Sequence, residues 1–78
     1  MNTTAATWFV DVYEFRQLCG DAQSLARDES SQEFAAEMML AANRYGLDTS
    51  ISPPQMRWLC RIADWELPKR RDDAAAVG

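Results

Sequence analysis

Apolar residues along this chain fall into three stretches with the spacing of a helix face. At 100° per residue, Val12, Phe15, Leu18, Cys19, Ala22, Leu25 and Ala26 share one arc of about 140°. They predict a first helix over 12–27. Phe34, Ala35, Met38, Met39, Ala41, Ala42 and Tyr45 mark one face of a second helix over 31–45, with Glu33, Glu37 and Arg44 opposite. Met56, Leu59, Cys60, Ala63 and Leu67 form the stripe of a third over 53–67, which Trp58, Ile62 and Trp65 widen to about 220°. A helix apolar over that much of its girth is central to its bundle or touches something outside it.

Capping signals divide the chain at the same places. Three times a capping residue is followed three positions later by Glu or Gln: Asp11 with Glu14, Ser30 with Glu33, and Ser52 with Gln55. In such a box the first side chain accepts an orphan N–H of the first turn, and the second reaches back to the cap's own N–H. Gly46 is placed to stop the second helix, Pro53 suits the first position of the third, and Pro68 ends it. Asp28-Glu29-Ser30 separates the first two helices without Gly or Pro, so these are either distinct or nearly continuous. Trp8, Phe9 and Val10 form a short apolar segment, extended or helical, from which Trp8 and Phe9 fold back onto the bundle. Residues 1–7 read as a disordered N-terminus and 68–78 as a mobile tail. The expected fold is all-α, a small three-helix domain over 8–67. Its expected core is Val12, Phe15, Leu18, Leu25, Phe34, Met38, Tyr45, Met56, Leu59 and Ile62.

Composition narrows the chemistry. A chain of 78 residues makes one domain, and buries only about 60 % of the surface its unfolded form exposes. Its two cysteines, Cys19 and Cys60, and its lack of histidine cannot supply the four ligands of a structural zinc site. Both thiols sit among apolar neighbours, where free Cys behaves as a small hydrophobe, so buried thiols are favoured over a disulfide. No basic-then-apolar leader and no membrane-length apolar run occurs, so the expected location is cytoplasmic.

The net charge is −4. Between Asp11 and Leu67, ten acids face five arginines, giving −5 for the body. Such a body repels phosphate unless its arginines cluster.

Nucleophilic catalysis by Ser, Thr or Cys usually needs a histidine base, and the carboxylates lie at caps or on solvated faces. Gly20, Gly46 and Gly78 are too scattered for a phosphate loop. The chain therefore reads as no enzyme, with no cofactor and no metal.

Two surfaces could bind a protein. One is the acidic row Glu29, Glu33 and Glu37 on the second helix, otherwise an ordinary solvated face. The other is the wide face of the third helix, where Trp58 and Trp65 stand at i and i+7 beside Arg61. Trp58, Arg61, Trp65, Glu33 and Glu37 are thus the candidate partner contacts, and the wide face also suits a homodimer. The alternative is an accessory nucleic-acid binder using Arg57, Arg61, Lys69, Arg70 and Arg71. Against it stand the long Gly46–Ser52 connection, the acidic body, and Asp72 and Asp73 directly after the basic run.

Tyr45-Gly46, a loop, Ser52-Pro53-Pro54-Gln55, then Leu59, Ile62 and Ala63 resembles a pattern of small helical proteins of phages and proteobacteria. In that pattern a YG ends one helix, and a serine cap, a glutamine and an L-x-x-I-A helix follow. Phe34 and Met38 match its apolar positions. The resemblance spans roughly residues 30–67 and implies a three-helix fold and a mobile-element setting, without functional residues. In a phage, a short acidic protein of this kind is similar to inhibitors of host machinery such as anti-CRISPR proteins, by size and charge alone.

Overall fold

The computed structural model of the chain describes residues 3–70. A 3-10 turn at Ala5–Thr7 leads into α1 (Val12–Leu25) and α2 (Glu29–Tyr45). A second turn at Gly46–Asp48 precedes α3 (Pro53–Ala63). The domain is all-α, with three helices as the periodicity predicts.

Each helix end has a local cause. The Asp11 carboxylate accepts the Tyr13 N–H at 2.9 Å and starts α1. α1 stops at Leu25, because Ala26 turns extended after donating a last bond to the Ala22 carbonyl. Two residues expected at the end of the first helix, Ala26 and Arg27, therefore form its link to α2. The cap of α2 is Asp28 rather than Ser30, so α2 begins two residues before the sequence reading. Asp28 Oδ2 accepts the Ser31 N–H at 3.0 Å and its Oδ1 the Ser31 hydroxyl at 2.8 Å. A carboxylate taking both donors of one serine outcompetes the Ser30–Glu33 pair.

Gly46 ends α2 at φ 59°, ψ −131°, a conformation side-chain-bearing residues avoid. A Cβ there would sit 3.4 Å from Val12 Cγ2. The Thr49 hydroxyl, shared between the carbonyls of Gly46 at 2.7 Å and Ala41 at 3.0 Å, satisfies acceptors at that end. α3 opens with the complete capping box: Gln55 N–H to Ser52 Oγ at 3.3 Å, and Ser52 N–H to Gln55 Oε1 at 2.9 Å.

α3 closes at Ala63, four residues short of the sequence reading, and Pro68 is not its stop. Asp64 adopts the left-handed conformation at φ 59°, ψ 40°. Its N–H bonds the Arg61 carbonyl at 3.3 Å, and the Trp65 N–H bonds the Cys60 carbonyl at 2.8 Å. This pair of bonds is a Schellman motif, with Asp64 in the place usually held by Gly.

Residues 3–7 are held in place, against the expectation of disorder over 1–7, of which residues 1–2 lie outside the described residues. Ile51 N–H reaches the Thr3 carbonyl and Ala5 N–H the Thr49 carbonyl, each at 2.9 Å, forming an antiparallel bridge between Thr4 and Ser50. The Thr3 hydroxyl adds a bond to the Ile51 carbonyl. That clasp lays Trp8 and Phe9 across the bundle, where Phe9 meets Phe15 with ring centroids 5.6 Å apart.

α1 is the central helix, packed on both α2 and α3, which make far fewer contacts with each other. Phe9, Phe15, Leu18, Ile51, Met56 and Leu59 are fully buried, each worth about 1.5–3 kcal/mol relative to exposure. Phe34 and Met38 join them, and Met39 packs at the edge. Four expected core residues lie further out. Leu25 and Tyr45 are 51 % and 56 % exposed at helix ends, where no neighbour covers them, and Val12 and Ile62 are half-buried. Among the described residues no helix is long and apolar enough to cross a membrane.

Candidate functional site

Met56, Leu59, Cys60 and Ala63 turn inward from α3, which leaves Pro54, Arg57, Trp58 and Arg61 exposed on its outer face. Trp58 lies flat on Phe34 of α2, with ring centroids 4.2 Å apart and planes 6° from parallel. The stack bridges the two helices and fixes the indole, yet Trp58 stays 40 % exposed. Offset-stacked aromatic pairs add about 0.5–1.5 kcal/mol beyond burial.

Beside Trp58 lies an open groove of about 290 Å³ between α3 and the α1–α2 link, bordered by Leu25, Arg27, Asp28, Trp58, Arg61 and Ile62. It lies where Ala26 leaves helical geometry at the end of α1. Leu25 and Ile62 give it apolar walls, and Arg27 and Arg61 give it positive charge. Among the described residues neither guanidinium is held in an ion pair. The one carboxylate at the rim, Asp28, is engaged with its own helix. The Ser31 hydroxyl first, and then the Ser31 N–H, hold its carboxyl below the usual value.

The structure divides the expected contact residues. Trp58 and Arg61 border one groove. Trp65 does not stand above Trp58 on a helix face, because α3 ends before it. Its indole N–H donates to Asp21 Oδ2 on α1 at 2.8 Å, and Asp21 Oδ1 takes the Gln17 amide at 3.0 Å. Trp65 is thereby an internal strut. Glu33 and Glu37 are exposed on α2, outside the groove.

The alternative basic set also separates. Arg57, Lys69 and Arg70 border a second groove of about 340 Å³ with Trp8, Pro53 and Leu67, while Arg61 opens onto the first. Lys69 and Arg70, read from sequence as part of a tail, thus lie beside the start of α3. Arg71 falls outside the described residues. Trp8 is 6 % exposed, so it offers no free ring face to a base in that groove.

Cys19 and Cys60 are both free and buried. Burial pushes the Cys19 thiol up to about 12, against a smaller opposing backbone hydrogen bond, and that of Cys60 up to about 11. Such thiols stay protonated and unreactive at neutral pH. Among the described residues no group of three Cys, Asp or Glu side chains is placed to hold a metal ion.

Two groove residues, Leu25 and Arg27, were not singled out by the sequence pattern. Leu25 belongs to the apolar stripe of α1 and read as core, and Arg27 entered only as the end of the first helix and in the charge balance. Compared with protein-family models, with curated proteins and with solved structures, the chain finds no match, so the likeness over residues 30–67 rests on its residues alone.

Proposed function

We propose that this chain is a non-catalytic protein-binding module that docks through the groove beside Trp58. The observation that carries the reading is the exposed indole, held flat on Phe34 between two apolar walls and two arginines. Tryptophan and arginine are the residues most enriched at binding hot spots, and a ring fixed in advance loses little entropy on docking. The short acidic chain suits a stoichiometric inhibitor of a host complex, of the kind phages encode against CRISPR systems. Self-association through the same groove belongs to this reading, since a small domain gains stability from a second copy.

The test is capture with the tagged chain as bait from nuclease-treated lysate of the source cell, beside sedimentation of the purified chain. One protein complex held in near-stoichiometric yield supports the reading.

A second reading rests on the groove formed by Arg57, Lys69 and Arg70, which brings three cations together in an acidic protein. It makes the chain an accessory nucleic-acid binder. Capture of nucleic acid alone from untreated lysate, weakening steeply with salt, favours it over the first.

A further inference from the structure

Resting on the docking role of the Trp58 groove, we infer that its occupant is an acidic segment of a partner protein that carries a bulky apolar side chain. The apolar side chain covers the Trp58 indole between Leu25 and Ile62, and carboxylates on either side of it meet Arg27 and Arg61.

Charge decides the chemistry of the occupant. The body of the chain is negative, yet the lining of this groove holds two unpaired arginines and one aspartate whose oxygens are both taken by Ser31. At physiological ionic strength, exposed charges more than about 8 Å apart are largely screened, so the local balance governs what docks. Guanidinium groups match carboxylates in planar, two-bonded geometry, which favours an acidic segment over a neutral one.

Shape argues the same way. A space of about 290 Å³ open along one side holds one or two side chains of a passing segment, and does not enclose a metabolite. The aliphatic walls fit a Leu, Ile, Phe or Trp side chain. A nucleic acid carries a charge at every phosphate, so the phosphates that run beyond the two arginines would lie directly over the acidic body. A short segment brings only a few carboxylates, all of which can lie over the arginines.

The experiment is selection of a random dodecapeptide display library on the full chain, followed by affinity measurement on variants. Enriched peptides are expected to be acidic around one bulky apolar residue. Their affinity should fall by roughly ten-fold or more with Trp58→Ser and, independently, with Arg61→Glu or Arg27→Glu. Arg27 and Arg61 are exposed, so their variants keep the fold and report the charge contacts even if Trp58→Ser is destabilised. Selected peptides that depend on Trp58 but show no acidic excess overturn the charge assignment and leave the docking groove standing. Peptides indifferent to Trp58, Arg27 and Arg61 overturn both. A poly-dT oligonucleotide that displaces the peptides, and is itself lost with Trp58→Ser, overturns the inference in favour of nucleic acid.

Discussion

Replacing Asp21 by alanine removes the strut between α1 and the segment that follows α3. The carboxylate accepts the Trp65 indole N–H at 2.8 Å and the Gln17 amide at 3.0 Å. Trp65 is half-buried, so its N–H regains water only in part once the acceptor is gone. Hydrogen bonds to charged groups contribute about 1.5–3 kcal/mol, and partial exposure places this one near the lower end. The Gln17 contact is an exposed pair one helical turn apart, worth about 0.2–0.5 kcal/mol.

Together they set the expected loss at about 1.5–2 kcal/mol. For a domain of this size each kcal/mol moves Tm by about 4–8 °C, so Tm should fall by roughly 6–16 °C. Asp21→Asn keeps a carbonyl acceptor for the indole and should cost about half as much. Urea unfolding followed by far-ultraviolet circular dichroism measures both, without relying on Trp65 fluorescence, which the substitution itself alters. A loss below about 0.3 kcal/mol for Asp21→Ala, or an asparagine variant as weak as the alanine one, refutes the strut.

The N-terminal clasp predicts that Phe9→Ala costs about 3–5 kcal/mol, enough to leave so small a domain largely unfolded at 37 °C by circular dichroism. Gly46→Ala should cost about 1–3 kcal/mol in urea unfolding, because its backbone conformation excludes a Cβ, while Gly20→Ala, in ordinary contact with Met39, should not. The buried thiols should label with an aromatic disulfide reagent only as the chain unfolds. Burial raises their folded pKa values from 9.0 to about 12 and about 11, so their contribution to stability is full below 9.0 and is lost as pH rises towards the folded values. The Asp28 carboxyl is shifted down, so its contribution is present above the unfolded value and lost as pH falls through the folded one. In Asp28→Asn the acid limb of a stability–pH curve, as pH falls below the ordinary Asp value of 3.8, should be shallower than in the native chain.

The helical periods and the Ser52–Gln55 box were legible because they depend on neighbours in sequence. What was not legible depends on geometry that sequence spacing does not encode. Ser30–Glu33 has the spacing of a cap, but Asp28 wins because both of its oxygens reach Ser31. Leu25 and Tyr45 fall on apolar stripes, yet the adjacent elements end before covering them. Continuing α3 to Leu67 widened its apolar arc and placed Trp65 beside Trp58. The left-handed Asp64 instead turns the chain so that Trp65 meets Asp21. Ile51 and Thr49 lie in a loop without periodicity, and only the bridge to Thr3 and Ala5 explains their burial. At the site, Trp58 and Arg61 stood out by residue type. Arg27 could be added only once the α1–α2 link was seen beside α3.

The most direct test of the docking role compares Trp58→Ser with Trp65→Phe in quantitative capture of the partner complex, with both variants shown to be folded at the assay temperature. Trp58→Ser should abolish near-stoichiometric capture, and Trp65→Phe, which removes an internal hydrogen bond and part of a ring packed against the core, should retain it. Capture that survives Trp58→Ser and is lost with Trp65→Phe would contradict the account.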